Sequence, residues 1–348
     1  MTFQRVQKFC LLAVFVTMMG SAPLVHADNA PQTRIVTASN AATNQLLVYD
    51  TLGNLLQTIS TQGQGGVGGN AGGIEAKGNT VAVVNFGSKN VSIFGRRGDG
   101  FQLSQTVSAA SSPVSVAFGH NHLYILGTTT VESHRIFNNY VSSSVDGVVT
   151  LLKADGSAAQ VGVLPDQLIL TEKNNAIESV GLLANGEVTG PATLASNIPS
   201  NVNAPFGLVT RGNDAYVTIA HANEISLVRN GTVLTTASSG TQSAPCWVTL
   251  VGPFLFSANT PSKSVSRYAI YGQKIIQDDA VAASFSGGPT DIASGGGLVA
   301  VIDGNGTVSH LSIFSVDEDG NLTLKIMNTL ANGINGVAVV QGEEDDGR

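Results

Sequence analysis

Cysteine is almost missing from this chain. Cys10 sits in the first apolar segment, and Cys246 is the only other one. Once that segment is removed no pair is left to join, which excludes a disulfide framework and any Cys-x-x-Cys motif. A lone thiol in an oxidising compartment is best kept out of solvent, so Cys246 is expected to be buried. Positive charge is also scarce, with 17 Lys and Arg against 24 Asp and Glu and a net charge of −7. No basic stripe interleaves with aromatics, so nucleic acid is excluded as a partner. Charged residues of both signs reach only 12%, which suits turn-rich β structure better than a helix bundle or a disordered chain. Neither a Gly-x-Ser-x-Gly elbow nor a His-Glu-x-x-His motif occurs, so the readable serine-hydrolase and zinc-protease signatures are absent.

Long apolar runs are missing too, save the one from Phe9 to Val25. Arg5 and Lys8 precede it, Gly20 and Pro23 interrupt it, and Val25-His26-Ala27 ends it with a small-x-small pattern. Together these read as an export signal cleaved before Asp28. A transmembrane anchor is the alternative, disfavoured by the helix breakers near the end of the run. The expected organisation is a signal peptide at 1–27, one all-β domain at 28–342, and an acidic tail at 343–348. The expected location is periplasmic or secreted, with no stable membrane anchor after cleavage.

Glycine, by contrast, is abundant at 40 residues, and it punctuates a repeat. Ser112-Pro113-Val114-Ser115-Val116-Ala117-Phe118-Gly119 followed by His122-Leu123-Tyr124-Ile125-Leu126 reads as strand, turn, strand. The pattern returns from Ala204 to Thr218, from Ala244 to Phe256, and from Gly288 to Val301, with weaker copies near Gly73 and Gln160. A third, alternating strand follows, as in Asn90-Val91-Ser92-Ile93-Phe94, where period two puts Val91 and Ile93 opposite Ser92. Asn-Gly and Asp-Gly pairs at 230–231 and 319–320 then turn the chain into a fourth strand. The second strands begin near residues 35, 81, 123, 168, 216, 255 and 298, a blade-length spacing that predicts a seven-bladed β-propeller. The first repeat lacks an inner strand, and Gly333 to Val339 supplies an orphan one. The C-terminal strand is therefore expected to pair into the first blade and close the ring. A six-bladed ring or a β-sandwich is the competing reading, because the fourth repeat is degenerate.

The stretch Val81-Ala82-Val83-Val84-Asn85-Phe86-Gly87-Ser88-Lys89-Asn90-Val91-Ser92-Ile93-Phe94 resembles the repeat of YVTN-type propellers. Leu255 to Asn259 with Ser264 to Tyr268 is similar. Ser312 to Leu322 resembles the blade ending of lactonase-type seven-bladed propellers, which include bacterial 6-phosphogluconolactonases and fungal carboxymuconate cyclases. The resemblance spans nearly the whole chain after residue 27 and implies the fold. For activity it implies a lactonase-like hydrolase or cycloisomerase, using His, Glu and Arg in the central funnel in the carboxymuconate branch. Arginine is sparse at the funnel positions here.

Inner-strand starts and the loops between second and third strands face one mouth of a propeller channel, which nominates site residues. His221 is the leading candidate for a general base, with His134 and Glu132 next; loop histidines bonded to backbone are the alternative. Trp247 and Phe206 offer aromatic surface to a ligand, and Asn85, Asn259 and Asn335 offer amides. Glu75, Asp291 and Asp303 are hard oxygen donors, so Ca²⁺ is the alternative to a cofactor-free site. His120 and His122 are expected at the opposite mouth, in solvent. The run Gly63-Gln64-Gly65-Gly66-Val67-Gly68-Gly69 has no helix after it to complete a phosphate cradle, and reads as a flexible inter-blade loop. The functional expectation is an exported propeller that binds a small molecule, glycan or protein at its central funnel. Lactonase-like hydrolysis or cycloisomerisation of a lactone or sugar acid is the alternative.

Overall fold

The computed structural model describes Met1 and residues 32–196 and 204–342. The export signal and the acidic tail 343–348 lie outside these apart from Met1. Six four-stranded sheets and one five-stranded sheet, all antiparallel, form seven blades. Their inner strands are Asn335–Val340, Ile74–Lys77, Pro113–Gly119, Ala158–Val163, Pro205–Arg211, Pro245–Val251 and Gly288–Gly295. Each touches the next, and the last touches the first, so the ring is complete. The fourth repeat builds a full blade from Ala158–Val163, Gln167–Glu172, Ala176–Leu182 and Val188–Leu194, which removes the six-bladed and sandwich alternatives. In the third blade the outermost position is split between Tyr140–Val141 and Gly147–Thr150, which both pair with Thr130–Phe137.

There is no single core. Apolar residues of adjacent blades meet in separate wedges, because both faces of every blade are covered and only the outer strands face water. Val91 and Ile93 pack with Val116, Leu123 and Ile125 of the third blade, while Phe94 turns back to Val36 and Val48 of the first. Ser92, between them, donates from Oγ to the Thr61 carbonyl at 2.6 Å. Turn chemistry repeats as well. In the seventh blade Asp317 Oδ1 accepts the Asp319 and Asn321 amides at 3.0 and 2.8 Å, and Asp50 holds Leu52 and Asn54 likewise in the first. Among the described residues no helix is long and apolar enough to cross a membrane.

Six inner strands carry a register irregularity just after they enter the ring, at Pro113/Ser115, Ala158/Gln160, Pro205/Leu208, Pro245/Trp247, Pro289/Asp291 and Asn335/Val337. Such bulges bend a strand and re-aim its side chains. In the fourth and fifth blades a threonine of the second strand repairs the broken ladder, Thr171 Oγ1 accepting the Gln160 amide at 3.1 Å. Thr218 Oγ1 accepts the Gly207 amide at 2.9 Å and reaches the Cys246 carbonyl of the next blade at 3.1 Å.

Closure occurs as the repeat predicts. Asn335–Val340 runs antiparallel to Arg34–Ala38, with Val36 opposite Ala338 and Thr37 opposite Val337. Ile334 and Val337 pack toward the seventh blade, and Ala338 and Val340 toward the second. At about 1–3 kcal/mol per buried aliphatic side chain, this strand carries several kcal/mol of the ring's stability. Truncation after Asn332 should therefore abolish cooperative folding or lower Tm by more than about 10 °C, whereas removal of 343–348 should leave Tm unchanged, because pairing ends at Val340. Thermal denaturation of the two truncations checks this; equal melting points would refute closure by the C-terminal strand.

Candidate functional site

The inner strands enclose a channel of about 580 Å³. Its lining is graded. Ile74, Val161, Leu208, Trp247 and Ile292 are buried at the end where the strands begin, while Ala76, Phe118, Val163, Thr210, Leu250 and Val339 at the far end are half-exposed. The channel is thus open at one mouth and blind at the other.

The blind end is made by the glycine-rich segment. It crosses the axis from the first blade and is bonded on every side, rather than forming a flexible linker. Asn40 Nδ2 donates to the Val67 carbonyl at 2.8 Å, Asn70 Nδ2 to Val114 at 2.7 Å, and Lys173 Nζ to Gly69 at 2.6 Å. The Ala71 amide donates to Ala159 at 3.1 Å, and Trp247 Nε1 to the Asn70 carbonyl at 3.1 Å. Glycine is needed for this threading: a Cβ on Gly65 would come within 2.4 Å of the Asn40 backbone, and Gly72 has φ of +62°. Bulkier residues have neither the clearance nor the conformation.

This plug decides the fate of the nominated aromatics and amides. Trp247 and Phe206 meet edge to face with centroids 5.1 Å apart, and Trp247, Ala71 and Gly72 form the channel floor. Asn335 donates to Asn70 Oδ1 at 2.9 Å, so its amide holds the plug and is not free for a ligand. Asn85 and Asn259 are fully buried and staple the turn from second to third strand: Asn85 Nδ2 reaches Asn90 and Ser92, both at 2.7 Å, and Asn259 Nδ2 reaches Ser264 at 3.1 Å and Ser266 at 2.8 Å.

Four further placements differ from the expectation. Glu132 and His134 lie within the third strand of their blade, not in a mouth loop; both are buried, 3.4 Å apart, with Glu132 capped by the Ala110 amide and His134 Nδ1 at 3.0 Å from the Ser142 carbonyl. His122 is buried against Asp146 at 3.2 Å, while His120 is exposed as expected. Cys246 is half-buried, and burial raises its thiol pKa. His221 is exposed on a short 3₁₀ turn, beside a second cavity of about 340 Å³ with Lys173, Phe206 and Cys246. The two cavities share no lining residue, so His221 does not face the channel acids.

Of the three nominated oxygen donors, two converge. Glu75 and Asp291 both line the channel, whereas Asp303 is buried inside the seventh blade, 3.1 Å from His310 Nδ1 and capped by the Gly287 amide. The calcium trio is therefore not assembled, and among the described residues no three His, Cys, Asp or Glu side chains group as metal ligands. Strand alternation points Glu75 inward, since Ile74 and Ala76 on either side pack into the blade wedge. Asp291 Oδ1 accepts the Ile292 amide at 2.9 Å and Oδ2 the Val337 amide at 2.8 Å. Residue type and inner-strand position found both acids; their pairing across the closing strand was not readable from spacing.

Glu75 is partly open to the lumen, but the lumen is walled by protein and shields it from bulk water. Burial pushes its pKa from 4.5 up to about 7, helped by the charge of Asp291. Burial raises Asp291 to about 7 as well, against its two amide bonds, which favour the anion. Both acids hold their protons more tightly in the folded chain, so their contribution is full at low pH and is lost as pH rises through about 7. For Glu75 that loss is up to about 3 kcal/mol. Glu75→Gln keeps the shape and removes the charge, so its Tm should exceed that of the wild type by several degrees near pH 8 and match it near pH 5. Melting curves of both proteins across this range check it; a variant less stable at pH 8 would show that the Glu75 anion is paired, not strained.

Comparison with known protein families and with curated proteins returns no match. Solved structures do match in shape. A functionally unknown protein from Desulfotomaculum acetoxidans aligns over 90% of this chain and 100% of its own, with a TM-score of 0.67 and 13% identity. A candidate 6-phosphogluconolactonase from Bacteroides fragilis aligns over 90% and 99%, with a TM-score of 0.63 and 13% identity. A streptogramin B lyase aligns over 78% and 87%, with a TM-score of 0.59 and 13% identity. At this identity the likeness is one of fold, and the fold this chain has is a seven-bladed β-propeller.

Proposed function

We propose that this chain is an exported binding propeller whose working site is the blind channel, and that the channel takes a small molecule through its open mouth. The support is the pair Glu75 and Asp291, the only charged side chains in a lining otherwise apolar or neutral. The volume of about 580 Å³ lies in the range of small-ligand sites. A glycan chain or a protein segment fits less well, since the plug stops anything from passing through. Export rests on residues 1–27, and N-terminal sequencing of the mature protein should begin at Asp28; an intact Met1 on membrane-bound material would refute it.

One observation favours catalysis as the second reading. Among the described residues no hydrogen bond engages the Glu75 carboxyl, and burial pushes its pKa up to about 7, as suits a general acid–base. The candidate lactonase and the lyase among the structural neighbours carry chemistry on the same fold. Among the described residues no Lys, Arg or His lines the channel, so a phosphorylated sugar acid would meet two carboxylates and no counter-charge there. A lactonase of this form acts on uncharged lactones, with Glu75 in the role first given to His221.

Trp247, the only tryptophan, is the channel floor, so its fluorescence reports on occupancy. Binding of a small-molecule library member should change Trp247 emission and raise Tm, with no product formed from a panel of neutral lactones. Turnover that falls about 10²–10⁴-fold in Glu75→Gln would replace the binding reading with the catalytic one. Tight binding that leaves Trp247 emission and quencher access untouched would move the site out of the channel.

A further inference from the structure

We propose that the ligand is a compact molecule with an apolar body and a single ammonium group, and that Glu75 is its counter-ion. This rests on the channel as the binding site and adds the class of ligand. Among the described residues most neutral polar side chains of the lining already bond within the protein, Thr210 and the Gln160 amide nitrogen excepted. Gln160 Oε1 accepts the Leu208 amide at 2.6 Å, Thr249 and Ser294 share a hydrogen bond at 2.7 Å, and Ser294 also donates to the Leu250 carbonyl at 2.8 Å. Each Asp291 oxygen accepts a backbone amide. Among the described residues Glu75 is left as the one ionisable group in the lumen whose oxygens are unengaged, with the Asp291 carboxyl behind it.

Such a site discriminates by charge. An anion would be repelled by both carboxyls, and a neutral ligand would leave Glu75 desolvated without a partner. Ca²⁺ takes six to eight oxygens, and one unengaged carboxyl falls well short of that. An ammonium needs one carboxylate and leaves the rest of the molecule to the half-exposed apolar side chains toward the open mouth, Phe118, Val163, Val209, Leu250 and Val339. Lys77 and Arg211 end their inner strands at the open mouth, and Arg211 is turned onto the Gly252 carbonyl at 3.0 Å. On the second strands behind, Asn85 and Asp303 stand at the plugged end and are held by Asn90 and His310. Among the described residues no cation lines the lumen; Lys77, on the strand face that carries Glu75, is exposed outside the lining.

Proton linkage follows from the same geometry. Glu75 holds a proton at slightly acidic pH, and an incoming ammonium must displace it. Affinity should therefore rise with pH until Glu75 is fully ionised, while the amine itself stays charged to higher pH.

The experiment uses matched triplets of one apolar frame bearing an amine, an alcohol or a carboxylate, for example cyclohexylmethylamine, cyclohexylmethanol and cyclohexanecarboxylate. Calorimetry and Trp247 fluorescence are read on the wild type and on Glu75→Gln, near pH 5.5 and pH 8. The amines should bind, about tenfold or more tighter at pH 8 than at pH 5.5, and the alcohols and carboxylates should bind weakly at both. Glu75→Gln should lose most amine affinity and all of its pH dependence. If the alcohols or carboxylates bind as tightly as the amines, or if Ca²⁺ alone saturates the channel and excludes them, the counter-ion assignment falls and the channel reading stands. If no amine binds, the counter-ion assignment falls alone; if members bind by calorimetry and leave Trp247 untouched, the channel reading falls with it. The wild-type pH series decides the matter by itself should Glu75→Gln fail to fold.

Discussion

Pairing of Asn335–Val340 with Arg34–Ala38 is the interaction on which the rest depends. A propeller has no core to fall back on, because its apolar residues lie in wedges between blades, and every wedge needs a neighbour on both sides. Closing the ring with a strand taken from the far end of the chain joins the first and seventh blades through backbone hydrogen bonds as well as packing. The same strand carries Val337, whose amide is bonded to Asp291, and Asn335, whose side chain holds the plug. Ring closure, the blind end of the channel and the position of one channel acid are thus properties of a single six-residue segment.

The channel combines two costs that folding alone would avoid. Two carboxyls stand in a lumen with no counter-charge, and a segment rich in glycine, which gives up much conformational freedom on ordering, is held across one mouth by bonds to the first, third, fourth and sixth blades. A structural carboxylate is normally satisfied locally, as Glu178 is by the Leu152 and Lys153 amides at 2.9 and 2.7 Å. Glu75 differs from it in having no such bonds. Strain retained at a cavity wall is characteristic of sites that meet a ligand.

Blade number, strand order and ring closure were legible in the amino-acid sequence, because each rests on local patterns: alternation of period two, Asn-Gly and Asp-Gly turns, and a spacing of about one blade. The inner-strand rule also nominated Glu75, Asp291, Trp247 and Phe206. It overreached for Asn85, Asn259 and Asp303, which end second strands where their side chains turn back onto Asn90, Ser264 and His310. Residue type at a mouth position says nothing about whether a neighbour has already taken its hydrogen bonds.

The sequence by itself determined the fold class, since strand and turn preferences act between residues close in the chain. Only the tertiary structure decided which mouth is open, that the glycine run is a plug, that His221 stands apart from the channel, and that Glu75 and Asp291 face one lumen. Each of these depends on contacts between segments far apart in sequence, such as Trp247 with Asn70 or Asp291 with Val337. No local pattern encodes such contacts, because blade packing and bulge geometry, not spacing, set the distances across the axis.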